Sequence, residues 1–213
     1  VVPNALDVDL FRPHDKAFCR DILGLPRDVP LMMFGALGGT QDSRKGFDLL
    51  EQALRLLREA RALIDAHCVI FGQSRPATEP QLGFPIHWIG HLCDDWSLAL
   101  LYNAVDVFIL PSRQDNLPQT GTESQACGCP LVAFDCGGMP DLVEHRVTGY
   151  LARPYDPEDL AIGIKWVLED IDRYAQLGNS ARSRAVRFWG PDVVFPQYLD
   201  VFRESVDLYE SGG

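Results

Sequence analysis

Short apolar runs alternate along this chain with longer stretches in which apolar residues recur every three or four positions. The short runs are bounded by Pro, Gly and polar residues, which is typical of buried strands. They predict six strands: Pro30 to Phe34, Cys68 to Phe71, Ile86 to Ile89, Val107 to Leu110, Leu131 to Phe134 and Tyr150 to Ala152.

The stretches between these runs predict amphipathic helices. The clearest begins at Phe47, and its apolar face continues through Leu57. Further helices are expected over residues 14–25, 94–104, 118–126, 156–168 and 171–188. Strands that alternate with helices favour a parallel sheet covered on both faces. The pattern therefore predicts an α/β fold, a Rossmann-like three-layer sandwich with a mostly parallel sheet of about six strands.

Composition narrows the class of function. Acidic residues outnumber basic residues by 30 to 19, the formal net charge is −11, and no block of Lys or Arg is present. A basic surface for nucleic acid is therefore not expected. An anionic ligand would have to be held by a local pocket, because the overall field repels it. No apolar run in the sequence is long enough to span a membrane.

Neither the cysteines nor the histidines form a metal-binding pattern. Cys127-Gly-Cys129 lacks the spacing of redox and zinc motifs, and the other cysteines are scattered. His87 and His91 straddle the end of a predicted strand and do not share a helix face. We therefore expect reduced thiols, no metal site and no bound cofactor.

The two ends of the chain differ from its middle. Residues 1–13 are rich in Pro, Asn and Asp, which predicts a linker that enters a domain. Residues 14–189 carry the alternating pattern and are predicted to form the Rossmann-like domain. Residues 190–213 carry Tyr198, Phe202 and Val206 on one helical face. Because the chain begins with Val1, we expect it to be a fragment.

The loop from Gly35 to Gly46, after the first strand, is the first candidate binding site. Gly38 and Gly39 would allow the backbone to approach a ligand closely. Arg44 and Lys45 lie just before the next helix, and cations beside a helix N-terminus favour phosphate. The spacing fits neither GxGxxG nor a P-loop. A flexible solvent loop with two surface cations is the alternative.

Two carboxylates, Asp115 and Glu123, lie between the fourth and fifth predicted strands. If residues 118–126 are helical, both can face one ligand rich in hydroxyls, because ionised carboxylates accept hydrogen bonds. Backbone N–H groups near Leu117 and Gln119 would point at an anion. The alternative is one capping residue and one solvated glutamate on the helix surface.

Two further turns are weaker candidates. The pair Gly137-Gly138 would permit positive φ and a close approach of a ligand, although a tight turn before a short helix explains it equally well. His91 follows Gly90 at a strand end and could line a pocket. Its alternative is a partly exposed histidine in a loop.

Taken together, these motifs resemble the C-terminal half of the GT-B fold in retaining glycosyltransferases of the group 1 (GT4) type. VPNALDVDLFRP resembles the interdomain linker of that family. FGALGGTQDSRKGFDLLEQAL resembles its phosphate loop and following helix. LPSRQDNLPQTGTESQACGCPLVAFDCGGMPDLV resembles its E-x7-E segment and the glycine-rich turn after it, and TGYLARPYDPEDLA a later segment. The four matches follow the family's order and cover nearly the whole chain.

The resemblance implies a role for each matching residue. Lys45 would hold the donor's diphosphate, Asp115 would contact the donor sugar, and Glu123 would bind the ribose hydroxyls. These three would form the catalytic set, without a metal. The reaction would transfer a sugar from a UDP- or GDP-sugar to an acceptor hydroxyl, with retention of configuration. The implied donor-binding set is Gly38, Gly39, Arg44, Lys45, Gly72, Gly90, His91, Leu92, Asp115, Asn116, Leu117, Gln119, Thr120 and Glu123.

Two residues depart from the family pattern. Ala36 stands where the family often has an arginine, and Arg44 is a candidate to replace it. Asp115 stands where the family has the first glutamate of E-x7-E, so its side chain is one methylene shorter.

The resemblance also places the acceptor, a glycan or a lipid-linked molecule, on an N-terminal domain outside this sequence. Residues 190–213 would pack toward that domain through Phe195, Tyr198 and Phe202. The chain alone would then bind donor weakly and transfer little sugar. The full-length protein is expected in the cytoplasm, with peripheral attachment to the inner face of the membrane as a further expectation.

Three other functions remain open from the sequence. One is a non-catalytic, glycosyltransferase-like module that binds a nucleotide or regulates a partner, which Ala36 and Asp115 favour. Another is a flavodoxin-like or dinucleotide-binding domain. The third is a sugar-nucleotide epimerase, which shares the GT-B architecture.

Overall fold

Six parallel strands form one sheet in this protein. A computed structural model describes residues 2–35, 40 and 42–211, and the side chains of all of these except 210 and 211. The strands are β1 Leu31–Gly35, β2 His67–Phe71, β3 Ile86–Gly90, β4 Val107–Leu110, β5 Leu131–Phe134 and β6 Gly149–Ala152. Each predicted strand is confirmed, to within one residue at either end.

The order of strands in the sheet is β3-β2-β1-β4-β5-β6. All five pairings are parallel, and β1 meets β4 in the register Met32 to Val107 and Met33 to Phe108. The order therefore reverses between β1 and β4. In doubly wound sheets, ligands bind beyond the carboxyl ends of the strands at such a reversal.

Helices cover both faces of the sheet, which confirms the predicted three-layer fold. Successive strand residues point to opposite faces. Leu31 and Met33 of β1 pack into one apolar core, whereas Met32 and Phe34 pack into the other. The helices are α1 Lys16–Ile22, α2 Phe47–Glu59, α3 Asp95–Ala104, α4 Gln119–Ala126, α5 Met139–Leu142, α6 Pro157–Leu168, α7 Ile171–Trp189 and α8 Pro191–Ser211.

Each core is closed by its own helices. The first core includes Cys19 of α1, Leu101 of α3, Ala126 of α4 and Trp189 of α7. In the second core, α2 and α6 pack together over the other face of the sheet. Helix α1 is shorter than the predicted 14–25, because Asp15 caps it by accepting a hydrogen bond from the Phe18 N–H and the chain turns at Gly24 with φ +64°.

The first residues of the chain pack against the domain. Leu6 and Phe11 are buried, and the Leu6 N–H donates to the Trp189 carbonyl over 2.8 Å. The guanidinium of Arg182 donates to the carbonyls of Val8 and Phe11. The segment predicted as a linker is therefore fixed along α7.

Helix α8 presents apolar side chains to solvent. Phe195 and Phe202 are 58% and 63% exposed, whereas Tyr198 is partly buried and stacks on Phe202 with ring centroids 6.5 Å apart. Within the described ranges, no helix is long and apolar enough to cross a membrane. The proposed division at residues 13 and 189 stays a prediction.

Candidate functional site

A cleft of about 180 Å³ opens beyond the carboxyl ends of β1 and β4, where the strand order reverses. It combines the loop after β1, the loop after β4 and the start of α4. Its apolar lining residues Phe34, Leu110 and Pro111 are buried, whereas Lys45, Asp115 and Thr120 are partly exposed. The walls are formed by Phe34, Gly35, Lys45, Leu110, Pro111, Ser112, Asp115, Pro118, Gln119 and Thr120.

Lys45 and Asp115 meet across this cleft. The Nζ of Lys45 lies 2.7 Å from Oδ2 of Asp115, although 70 positions separate them in the chain. A 3-10 turn, Ser43–Lys45, presents the lysine, and Gly46 ends this turn with φ +66°. A Cβ at Gly46 would lie 1.9 Å from the carbonyl oxygen of Pro111. Glycine is therefore required to bring the lysine's loop against the loop after β4.

Arg44 points away from the cleft. Its side chain is 70% exposed and pairs with Asp42, with Nη2 2.8 Å from Oδ2. Hydrogen bonding to Arg44 lowers the pKa of Asp42. The backbone carbonyl of Arg44 accepts a hydrogen bond from the Arg113 N–H. The structure thus brings Lys45, and not the Arg44 side chain, to the cleft.

The N-terminus of α4 forms one wall of the cleft. Pro118 occupies the N-cap position, and no side chain caps the helix there. The first N–H groups of a helix have no partner within it and carry a partial positive charge. Here they belong to Gln119 and Thr120, which both line the cleft. Together with Lys45, this wall favours a ligand with two or more negative charges.

Glu123 is buried, so the alternative of a solvated surface glutamate is wrong. Only 5% of the residue is exposed, and its Oε2 accepts a hydrogen bond of 2.8 Å from the hydroxyl of Tyr102. Burial raises the pKa of Glu123 to about 7, against the opposing effect of hydrogen bonds from Tyr102 and Gln119. Asp115 and Glu123 therefore have separate environments.

The pair Gly137-Gly138 supports the loop that carries Asp115. The Gly138 N–H donates to the Asp115 carbonyl over 3.0 Å. A Cβ at Gly138 would lie 1.4 Å from the carbonyl oxygen of Asn116, and one at Gly137 would lie 2.3 Å from that of Asp115. A side chain at either position would clash with backbone atoms, which cannot move away as the end of a flexible side chain can. The two glycines thus pack the turn after β5 onto the turn after β4.

We expect the substitution Gly138→Ala to lower the free energy of unfolding by about 1–3 kcal/mol, since the added methyl forces the two turns apart. Denaturation in urea measures this change. Asp141→Ala is the matched control, because this exposed side chain lies in the adjacent helix α5 and should change stability by less than about 0.5 kcal/mol. Equal stability of the two variants would show that the turns do not need their close contact.

The predicted residues after β2 and β3 lie at two neighbouring strand ends. The Gly72 N–H donates to the Gly90 carbonyl over 2.8 Å, which ties the two strand ends. His91 is exposed, and Leu92 is partly buried against the first core. Gly90 lines a separate groove of about 530 Å³. None of these four residues is among the described residues that line the cleft.

Asn116 and Leu117 border a larger groove of about 860 Å³. Its other walls come from the first residues of the chain, α5 and the junction of α7 with α8, including Arg184 and Phe188. The predicted residues Gly38 and Gly39 lie outside the described residues, and so does Ala36.

Two contacts of the site had no signal in the sequence. Tyr102 reads as one more core position of α3, yet it holds Glu123. The Ser112 hydroxyl lies 3.5 Å from Oδ2 of Asp115, and an isolated serine after a strand predicts nothing by itself. Elsewhere, His87 pairs with His67. Nδ1 of His67 lies 2.9 Å from Nε2 of His87. This partner comes from the neighbouring strand, which the spacing to His91 could not indicate.

Known proteins resemble this chain in sequence. A family model described as glycosyl transferases group 1 matches residues 31–170. The D-inositol 3-phosphate glycosyltransferase of Xylanimonas cellulosilytica is 34% identical over 220 residues, which cover 96% of this chain and 51% of the relative. That of Geodermatophilus obscurus is 34% identical over 200 residues, covering 88% and 43%. The chain spans about half the length of the curated relatives it matches.

Solved structures resemble it in fold. Sucrose-phosphate synthase from Thermosynechococcus elongatus superposes with a TM-score of 0.81 and 26% identity, over 97% of this chain and 52% of that one. HepE from Anabaena, crystallised in complex with UDP and glucose, gives 0.79 and 21% identity, over 96% and 56%. The second likeness shows the fold alone. Since the family model spans well over half of its residues, this chain belongs to the glycosyl transferases of group 1.

Proposed function

We propose that this chain is the nucleotide-sugar-binding half of a retaining glycosyltransferase. The observation that carries the proposal is the meeting of Lys45 with the open N-terminus of α4 in one cleft. A cation and a helix N-terminus are the two features that bind a diphosphate best. Lys45 and the backbone N–H groups of Gln119 and Thr120 would hold the diphosphate of the donor.

The same groups would assist departure of the leaving group. As the bond from the sugar to the diphosphate breaks, negative charge develops on the diphosphate oxygens. Donors fixed in advance stabilise such charge without further reorganisation. Lys45 and the start of α4 are fixed in this way, since the lysine's turn packs against Pro111 through Gly46. The sugar would pass to an acceptor hydroxyl with retained configuration.

The two carboxylates would bind different parts of the donor. Asp115 lies at the rim of the cleft beside Lys45, where the sugar next to the diphosphate would lie. Glu123 lies about one helical turn after the start of α4, under Tyr102, and would accept hydrogen bonds from the ribose hydroxyls. Gly90, His91 and Leu92 would border the base. Neither carboxylate acts as a general acid or base in this proposal.

A uridine nucleotide is the proposed donor. HepE, whose fold this chain shares, was crystallised with UDP and with UDP-glucose. The relatives in sequence carry the name D-inositol 3-phosphate glycosyltransferase. We place the acceptor, a glycan or lipid-linked molecule, on the remainder of a longer protein, toward which residues 190–213 would pack with Phe195 and Phe202. A cytoplasmic protein attached to the membrane surface fits this proposal.

Thermal unfolding of the chain with UDP, GDP and ADP tests the donor class. Ligand at 100 times its Kd adds about 2.7 kcal/mol of stability, and each kcal/mol raises the Tm by about 2–4 °C at this chain length. We expect the largest rise with UDP. Uridine is the control, since it lacks the diphosphate and should give little or no rise. No rise with any nucleoside diphosphate would contradict the proposal.

Transfer needs a separate assay. The chain alone is expected to bind donor and to transfer little sugar, because the acceptor lies elsewhere in this proposal. Sugar release from the donor by the complete protein would separate an enzyme from a non-catalytic nucleotide-binding module, which would bind the donor and leave it intact.

A further inference from the structure

Tyr102 is the side chain that holds Glu123. It lies on α3 with none of its surface exposed, and its hydroxyl donates to Oε2 of Glu123 over 2.8 Å. Aromatic rings of Phe11, Phe71 and Phe108 surround the phenol, with centroids 6.0–6.3 Å away. A ring packed on three sides cannot rotate to a new position, so the hydroxyl stays where the carboxyl needs it.

Few polar groups share this environment. Gln119, one turn earlier on α4, lowers the pKa of Glu123 and also lines the cleft. The carboxylate of Asp95, on α3, repels a negative charge on Glu123. The thiol of Cys127 interacts with both Glu123 and Tyr102. No cation acts on Glu123 among these groups. Tyr102 and Gln119 are thus the donors that favour the ionised carboxylate.

We propose that Tyr102 is a positioning residue for nucleotide binding, which fixes one oxygen of Glu123 so that the other accepts the ribose hydroxyls. The inference rests on the proposed function. Its reason is geometric, since a carboxylate has two oxygens and the phenol occupies only one of them. Without the phenol, the buried carboxyl would be free to turn about its last bond and would be harder to ionise.

A pH dependence of nucleotide affinity follows. The ionised carboxylate accepts hydrogen bonds at both oxygens, whereas the protonated acid loses part of this capacity. Because burial raises the pKa of Glu123 to about 7, UDP affinity should increase as the pH rises through 7. The phenol's hydrogen bond lowers that pKa. Tyr102→Phe should therefore shift the midpoint to higher pH, by about one unit, as expected for one hydrogen bond to a charged group.

Calorimetric titration of UDP into this chain, from about pH 5.5 to about pH 9, measures the midpoint. Tyr102→Phe should lose about 5- to 10-fold in UDP affinity at pH 7, and most of that loss should return at high pH. Glu123→Gln should remove the part of the pH dependence that belongs to Glu123, and leave the part that belongs to the phosphates of UDP. In the double variant Tyr102→Phe/Glu123→Gln, the pH dependence of UDP affinity should be the same as in Glu123→Gln alone.

The matched control is Tyr150→Phe, which removes a hydrogen bond of the same kind, from the Tyr150 hydroxyl to Oδ1 of Asp159 over 2.9 Å, away from the cleft. It should leave the pH midpoint unchanged. An unchanged midpoint in Tyr102→Phe, or an equal loss of affinity at every pH, would overturn the positioning role. Failure of the unaltered chain to bind UDP at any pH would instead overturn the proposed function.

A second measurement does not depend on the folding of a variant. Carbon NMR of the Glu123 carboxyl in the unaltered chain should give a pKa near 7, and saturating UDP should lower it, since the ribose hydroxyls favour the ionised form. A carboxyl that titrates near the ordinary glutamate value of about 4.3, or that UDP leaves unchanged, would contradict the inference.

Discussion

The variant Lys45→Ala of the complete protein should lose about 10²- to 10³-fold in kcat, as is typical when one preorganised group that stabilises developing charge is removed. The reason lies in the cleft, where Lys45 is the cation among the described lining residues. The N-terminus of α4 would remain and would account for the residual rate. Steady-state kinetics with a UDP-sugar and its acceptor measures the loss, and UDP affinity of the chain should fall in parallel.

Two other cations test whether the effect belongs to Lys45. Lys165→Ala is the control, because this lysine is exposed on α6, away from the cleft. Its Nζ lies 3.8 Å from Oε2 of Glu169. The substitution should leave kcat unchanged. Arg44→Ala asks whether the neighbouring arginine turns inward when the donor binds. A loss with Arg44→Ala as large as that with Lys45→Ala would show that the arginine carries the charge, contrary to the geometry of its pair with Asp42.

The variant Glu123→Ala should weaken UDP binding by about 10- to 100-fold, because it removes hydrogen bonds to a charged acceptor, each worth about 1.5–3 kcal/mol. Asp115→Ala should act in the opposite direction or not at all. UDP carries no sugar for Asp115 to contact, and without Asp115 the Nζ of Lys45 loses its partner at 2.7 Å. The lysine then becomes free for the diphosphate.

The difference in affinity between Glu123→Ala and Asp115→Ala should be smaller with a UDP-sugar than with UDP. Asp115→Ala is expected to weaken binding of the UDP-sugar relative to UDP, whereas Glu123→Ala should weaken both equally. Calorimetric titration of both ligands into both variants gives the four affinities, and the thermal midpoint of each variant checks that it is folded. A greater loss of UDP affinity with Asp115→Ala than with Glu123→Ala would overturn the separate roles.

The pairing of Lys45 with Asp115 also bears on the departure from the family pattern. An aspartate is one methylene shorter than the glutamate usual at that position, and it reaches the lysine directly in this structure. A diphosphate would have to compete with this carboxylate for the lysine. The competition is a reason to expect modest affinity for UDP in the isolated chain, and it is removed in Asp115→Ala.

Much of the fold could be predicted from local sequence. Apolar runs such as Val107–Leu110 and Leu131–Phe134 were identified to the residue, because a strand buried on both faces has no polar positions. The amphipathic pattern of α2 likewise placed its start at Phe47. Helix ends were less certain, as at α1, since they depend on which side chain caps the helix and where the chain turns.

The candidate site, too, could be predicted only in part from the sequence. Local sequence identified Lys45, Asp115 and the start of α4 as polar groups at strand ends, and the family resemblance gave them roles. Neither the local sequence nor the resemblance could show that Glu123 is buried. The short helix α4 has little amphipathic pattern, because both of its sides are covered, and Gly121 even lies where a Cβ would be 2.5 Å from the side chain of Leu142.

The sequence by itself thus determined the α/β class, the strands and the residue types at their ends, since these follow from periodicity and from turn residues within a few positions. Only the tertiary structure decided which strand ends are neighbours. The contacts of Lys45 with Asp115, of Tyr102 with Glu123 and of Gly138 with Asn116 join separate loops and helices. They exist because β1 lies beside β4 and β4 beside β5, an order that no local pattern encodes.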